Sequence, residues 1–297
     1  MERTAPDVCL FTVLPIEFVV HGRFRSLVDT RGIVKTLFGV PRALVGVIHA
    51  AALPGTPGSR LSVKEIARAA ATEAEIYAAA GFHGLILENT HDRPYLKGAA
   101  VGPEIAAALG VVGAEIRRAC PLPLGVQVLA GANRAAIAVA HACGASFVRA
   151  EGFVFAHVAD EGLIESSAGD LLRYRRTLGA ENVVVFADIK KKHSAHAITA
   201  DVDIVETAKA AEFFAVDGVV VSGTSTGAPC DADEVRAVSA AVGVPTFIGS
   251  GITPENIALY HGADAFFVGS SVKANGIWSG PLDTARTSAV VAAFAQL

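Results

Sequence analysis

The chain is poor in sulfur: it has one methionine and four cysteines in 297 residues. Cys9, Cys120, Cys143 and Cys230 are scattered, with no Cys-x-x-Cys pair, so neither a zinc knuckle nor a disulfide framework is suggested. A reducing compartment is the simplest setting. Positive charge is also sparse. Lys and Arg total 25 against 29 Asp and Glu, and the one basic block is Lys190-Lys191-Lys192, so nucleic acid is not an expected partner. No apolar run reaches the length of a bilayer span. The stretch 8–20 is apolar, but Pro15 and Glu17 interrupt it and it lacks a basic n-region and a clear small-residue cleavage site, so it makes a poor signal peptide. Residues 1–35 carry Glu2, Asp7, Glu17 and Asp29 among their arginines, more acid than a mitochondrial transit segment tolerates. The cytoplasm is therefore expected, with mitochondria as the alternative if 1–35 does act as a transit segment. A Gly-x-Gly-x-x-Gly after the first strand is missing too, which removes the main dinucleotide-fold signal.

What is present is alternation. Hydrophobic residues make up 52% and charged ones 18%, the composition of a well-buried α/β chain. Apolar runs at 44–49, 85–89, 124–129, 146–150, 183–188, 218–222, 246–248 and 265–268 read as parallel strands buried on both faces. Helical patterns fall between and after them at 63–80, 103–119, 134–142, 166–178, 202–214, 234–241, 254–261 and 284–294. Ser62-Val-Lys-Glu65 is a capping box and Pro103 suits a first helical position. Eight such units in unbroken order predict a closed (β/α)8 TIM barrel at 44–297, preceded by an N-terminal arm at 1–43.

Chemistry in a barrel gathers at the carboxyl ends of the strands. There the sequence places His49, Glu88-Asn89, Gln127, Arg149 with Glu151, Asp188-Ile-Lys190-Lys191-Lys192-His193, and Thr224 with Thr226. A carboxylate at a strand end is costly unless paired or used, so Glu88 and Asp188 are candidates for proton transfer. His49, Lys192 and His193 are the other catalytic candidates. Spacing alone does not separate Lys190 from Lys192. A carboxylate beside lysines fits an acid–base pair, a Schiff-base lysine with its proton shuttle, or a phosphate clamp. Arg149 either holds an anionic substrate group or pairs internally with Glu151 or Glu88. Asn89, Gln127, Thr224 and Thr226 are candidate substrate contacts, and 160–162 belongs to a loop long enough to fold over the mouth. Glu88, Asp188 and a histidine would suit Mg2+, although no ligand spacing demands a metal and no cofactor is predicted.

The last two units each end a strand in a glycine turn: Gly249-Ser250-Gly251 and Gly269-Ser270-Ser271. Glycine lets the backbone approach an anion, and helix starts following these turns, with Thr253 as N-cap before Pro254, would add free N–H groups. A phosphate site is expected there, flanked by Asn256 and Lys273.

Several motifs sit around these residues: His49…Leu53-Pro54-Gly55-Thr56-Pro57, Glu88-Asn89…Asp92…Pro94-Tyr95 and Gly144-Ala-Ser-Phe-Val-Arg149. Asp160-Glu-Gly162, Arg173-Tyr-Arg175, Asp188…Lys192-His193, Gly223…Thr226-Gly227, Gly249-Ser-Gly251…Asn256 and Val268-Gly269…Lys273 follow. Together they cover about residues 37 to 297, and in them the chain resembles the BtpA family, also called BtpA/SgcQ. Gln127-Val-Leu-Ala-Gly and Glu151 depart from the common bacterial pattern, and Glu-Gly-Phe-Val-Phe and Lys-Lys-Lys-His resemble a eukaryotic branch. The resemblance implies a barrel of the ribulose-phosphate binding type and a family named for a cyanobacterial photosystem I biogenesis protein. The function expected is an isomerase, epimerase or lyase acting on a small phosphorylated sugar or nucleotide-derived metabolite. The alternative is a non-catalytic assembly or stability factor. A phosphorylated small molecule is the expected partner and a homo-oligomer the expected state.

Overall fold

The computed structural model describes residues 30–297; residues 1–29, with most of the expected arm and of the candidate transit segment, lie outside the described residues. Eight parallel strands close into a barrel in chain order: β1 (Ala43–His49), β2 (Gly84–Glu88), β3 (Leu124–Gln127), β4 (Phe147–Ala150), β5 (Val184–Ile189), β6 (Gly218–Val221), β7 (Thr246–Ile248) and β8 (Ala265–Val268). Pairing of Ala43 with Ala265 joins β1 to β8 and leaves no open edge. The fold expected from alternation is the fold observed.

Strand parity divides the buried residues into two cores. Leu44, Ile48, Leu85, Leu87, Val126, Val148, Val185, Val219 and Phe266 face outward and pack under the helices. Val45, Val47, Ile86, Phe147, Phe186, Val220, Phe247 and Phe267 face the barrel interior. The aromatic rings need room, and glycines on neighbouring strands provide it. A Cβ at Gly125 would collide with the Phe147 ring, and one at Gly218 with Phe186.

Helices α1 (Gly32–Phe38), α2 (Val63–Ala80), α3 (Pro103–Ala119), α4 (Asn133–Cys143), α5 (Ala168–Thr177), α6 (Ile204–Phe213), α7 (Ala232–Ala241) and α8 (Thr284–Phe294) accompany the strands. The Ser62–Glu65 capping box forms, its two bonds satisfying free N–H groups at the start of α2. Sequence patterning did not indicate α1. This helix inserts Val34 and Phe38 into the interior core, with the Phe38 ring edge-on to Phe147 at 5.7 Å. Thr30 Oγ1 donates to the Gly243 carbonyl at 2.6 Å, and Arg31 donates to the carbonyls of Ser239 and Val242. The bottom of the barrel is closed by this helix.

One expected helix is absent. Where 254–261 was to be helical, only a 3-10 turn forms at Ile257–Tyr260. The cause lies in Asn256, whose Oδ1 accepts from Thr253 N–H at 2.9 Å while its Nδ2 donates to the Gly251 carbonyl at 2.8 Å. That pair of bonds holds a local turn in place of the first helical turn, a competition typical of asparagine. Thr253 is therefore not an N-cap. At the end of the barrel away from α1, a hairpin of His157–Ala159 and Gly162–Ile164 rises above β4, joined by the short strand Ser194–Ala195. Among the described residues, no helix is long and apolar enough to cross a membrane.

Candidate active site at the barrel mouth

Two residues up each strand, the interior changes character. Phe147 is followed at the same parity by Arg149, Phe186 by Asp188, Ile86 by Glu88 and Val47 by His49. Register places His49 beside Glu88 and Glu88 beside Gln127. Above this layer the mouth opens into two lobes, of about 200 and about 300 Å3. His49, Glu88, Arg149, Lys192 and Thr226 line both, so the lobes form one continuous site.

The smaller lobe is walled by Gly249, Ser250, Gly251, Gly269, Ser270 and Ser271, all six of the expected phosphate residues. Gly251 has φ +73°, and a Cβ there would run into the backbone of Ala228 and Pro229. The N–H groups of Gly251, Ser270 and Ser271 meet no acceptor among the described residues, and the buried Ser271 Oγ has no partner. Ser250 differs, since its hydroxyl accepts from Gly223 N–H at 3.0 Å and donates to the Ala228 carbonyl at 3.2 Å. Ser270–Val272 is a three-residue 3-10 turn, so loose N–H groups rather than a full helix dipole give the lobe its polarity. Lys273 is turned away, buried against Glu73 at 2.7 Å. Besides Arg149 and Lys192, this lobe has a third cation that the sequence did not point to, Arg286 of α8, whose Nη1 donates to the Ser271 carbonyl at 3.2 Å. Only the return of α8 to the top of β8 brings it there.

The larger lobe holds the charges. Arg149 donates to both oxygens of Asp188, Nε to Oδ2 at 2.9 Å and Nη2 to Oδ1 at 2.8 Å, with both side chains buried. Glu88 Oε1 lies 3.5 Å from Arg149 Nη1 and has no hydrogen bond. Of the internal partners expected for Arg149, Glu88 is a neighbour and Glu151 is not; the main partner is Asp188. Burial raises the Glu88 pKa against the opposing pull of Arg149, favouring a carboxyl that can hold and release a proton. Glu151 instead accepts from Gly131 N–H at 3.0 Å and pairs with Lys191 at 3.4 Å.

Extension does not continue past β5, so Asp188, Lys190 and Lys192, though two residues apart, do not share a face. Lys190 has φ +45° and His193 φ +54°, and the chain curls. Lys190 Nζ donates to the Thr199 carbonyl at 2.8 Å, away from the mouth, while Lys192 lines both lobes. Burial, then repulsion from Arg149, lowers the Lys192 pKa. His193 is exposed, its Nε2 accepting from Thr226 N–H at 3.1 Å. His49 Nδ1 sits 2.9 Å from the Trp278 carbonyl, to which it donates as Nδ1–H, leaving Nε2 an acceptor. Burial and the nearby Lys273 push its pKa down to about 3, so the ring stays neutral.

Gln127 is buried and faces the larger lobe. Asn89 does not line either lobe: its amide donates to Asp92 at 2.9 Å and its carbonyl oxygen accepts from Leu129 N–H at 2.8 Å. Thr224 is exposed and outside both lobes, whereas Thr226 lines both. Asp160 and Glu161, at the tip of the hairpin, do reach over the larger lobe. Trp278, under the Arg93 guanidinium at 4.8 Å, completes the wall; a lone tryptophan in an irregular loop gives no periodic signal that would reveal it. Gly223-Thr-Ser-Thr-Gly227 has the spacing of a hydrolase nucleophile elbow, but Ser225 is exposed and the next helix begins only at Ala232. Among the described residues, no three His, Cys, Asp or Glu side chains group closely enough to hold a metal ion.

The BtpA family model matches residues 40–296. An uncharacterized mitochondrial protein of Caenorhabditis elegans is 46% identical over 264 residues, covering 87% of this chain and 95% of that protein. The photosystem I biogenesis protein BtpA of Synechocystis is 33% identical, covering 87% of this chain and 90% of its own length. Among solved structures, thiamine phosphate pyrophosphorylase from Pyrococcus furiosus superposes with TM-score 0.52 at 14% identity, over 89% of this chain and 98% of that one. A putative phosphonomutase from Burkholderia cenocepacia superposes with TM-score 0.52 at 17% identity, over 80% and 91%. The structural likenesses agree on the barrel, and the matched span runs from just before β1 through the last turn of α8: this chain belongs to the BtpA family.

Proposed function

We propose that this chain is an enzyme acting on a small phosphorylated sugar or nucleotide-derived metabolite, with proton-transfer chemistry of the isomerase, epimerase or lyase type. The observation that carries the reading is the shared wall: a lobe of loose N–H groups opens directly onto a lobe holding Glu88, His49 and Lys192. The turns at 249–251 and 269–271, with Arg286, anchor the phosphate. Glu88 moves the proton, and neutral His49 accepts a hydrogen bond from a substrate hydroxyl through Nε2. Arg149 faces the negative charge that develops when a carbon acid ionises, held rigid by Asp188. On this reading Asp188 positions Arg149 rather than moving a proton itself, because both its oxygens are engaged.

Calorimetric titration with inorganic phosphate, followed by a panel of phosphosugars, tests the anchor. Binding by the native chain and its loss in Ser270→Asp, which sets a carboxylate in the turn, is the expected result. Equal binding in both chains contradicts it. Imaging of the tagged full chain decides between cytoplasm and mitochondria.

A second reading, a non-catalytic assembly factor, has one feature in its favour besides the name of the Synechocystis relative. Phe213 and Phe214 stand exposed at the end of α6, their rings 5.8 Å apart, away from the mouth. Loss of a partner from Phe213→Ser, with phosphate binding absent in the native chain, would favour it.

A further inference from the structure

Three consecutive lysines follow β5, and the fold treats each differently. Lys190 is spent on the Thr199 carbonyl at 2.8 Å and Lys191 is buried against Glu151 at 3.4 Å. Lys192 commits its backbone N–H to Ser222 Oγ at 3.2 Å, but its ammonium meets no hydrogen-bond or ion-pair partner among the described residues. Lys35, Lys64, Lys97 and Lys209 are exposed, and Lys273 is paired with Glu73. Lys192 is thus the one described lysine that is sheltered yet unpaired, and it stands where the two lobes meet. An amine in that condition is a poor electrostatic anchor and a good nucleophile. Its lowered pKa, set by burial and then Arg149, raises the share of free amine. Close by, Glu88 Oε1 is buried without a hydrogen bond.

We propose that Lys192 forms an imine with the carbonyl carbon of a phosphorylated aldehyde or ketone anchored in the smaller lobe; this deepens the phosphometabolite reading and rests on it. The Nζ lone pair adds to the carbonyl carbon, and a proton passes from nitrogen to oxygen to give the carbinolamine. Protonated Glu88 then hands its proton to the hydroxyl, the C–O bond breaks, and water leaves as the C=N bond forms. The iminium withdraws electrons from the adjacent carbon, and the Glu88 carboxylate takes the proton released there. This route gives isomerase, epimerase and lyase chemistry a common first intermediate without a metal ion.

The test is reductive trapping. The full chain is incubated with glyceraldehyde 3-phosphate or ribose 5-phosphate and sodium cyanoborohydride, and labelled peptides are mapped by mass spectrometry. Lys192 should label roughly tenfold or more faster than the exposed lysines, as a free amine in a binding site does. Lys192→Arg should lose that label and Lys190→Arg keep it. The map of the native chain suffices even if a variant folds poorly: labelling spread evenly over surface lysines overturns the proposal. Phosphate heat in the calorimeter without a Lys192 label rejects the imine and leaves the phosphate reading standing. No phosphate heat, with Lys192 labelled equally by unphosphorylated glyceraldehyde, rejects the phosphate reading and keeps the imine.

Discussion

Floor and mouth of this barrel are made from the same strands, two residues apart, and they obey opposite rules. At the floor, Phe147, Phe186 and Phe247 pack ring to ring at 4.2 to 5.5 Å, and Phe38 seals them from below. At the mouth, Glu88 Oε1, Ser271 Oγ and the Lys192 ammonium have no hydrogen-bond partner among the described residues, and loose N–H groups line a cavity. Buried polar groups left unpaired cost stability, and on the proposed function a ligand pairs those at the mouth.

Substitutions can break that comparison, and the floor should respond most. Phe147→Ala removes the ring that touches Phe38, Phe186 and Phe267, and should cost about 4 kcal/mol of unfolding free energy in urea. If the comparison holds, the stabilisation by phosphate keeps its size in that variant. Next comes Arg149→Leu, which strands Asp188 and Glu88 without their cation and should cost about 3 kcal/mol. The double variant Arg149→Leu/Asp188→Leu should recover part of the loss, since one stranded charge goes with it. Additive losses would mean the pair is not a unit.

A smaller effect sharpens the electrostatic side. The folded-state pKa of His49 lies near 3, below the ordinary 6.5. Between those values the unfolded chain takes up a proton that the folded chain refuses, so stability falls as pH falls through this window. By pH 5 the cost is about 2 kcal/mol. Urea midpoints at pH 7 and pH 5 should therefore drop further in the native chain than in His49→Gln; equal drops would show that His49 titrates normally.

Much of this was legible in the sequence. Position at the carboxyl ends of short apolar strands put Glu88, Gln127, Arg149 and Asp188 at the mouth, and the glycine turns marked the smaller lobe. Four things were not. The positive φ of Lys190 breaks parity just past β5, and no residue type announces it, so Lys190 and Lys192 could not be separated. The side-chain bonds of Asn256 stop a helix whose composition favours one. Trp278 and the plug helix α1 reach their places through tertiary packing across more than a hundred residues, a distance over which periodicity carries no information, and Arg286 reaches its place only because α8 folds back onto the turn after β8. The mutual engagement of Arg149 and Asp188 belongs here too: either side chain alone reads as a reactive group, and only geometry reveals that each occupies the other.

The most direct measurement is a crystal structure grown in sulfate. The account predicts an oxyanion in the smaller lobe within hydrogen-bond distance of Gly251 and Ser270 N–H, with the Arg286 guanidinium turned toward it. A lobe filled by protein side chains, or sulfate bound elsewhere with this lobe empty, would contradict it.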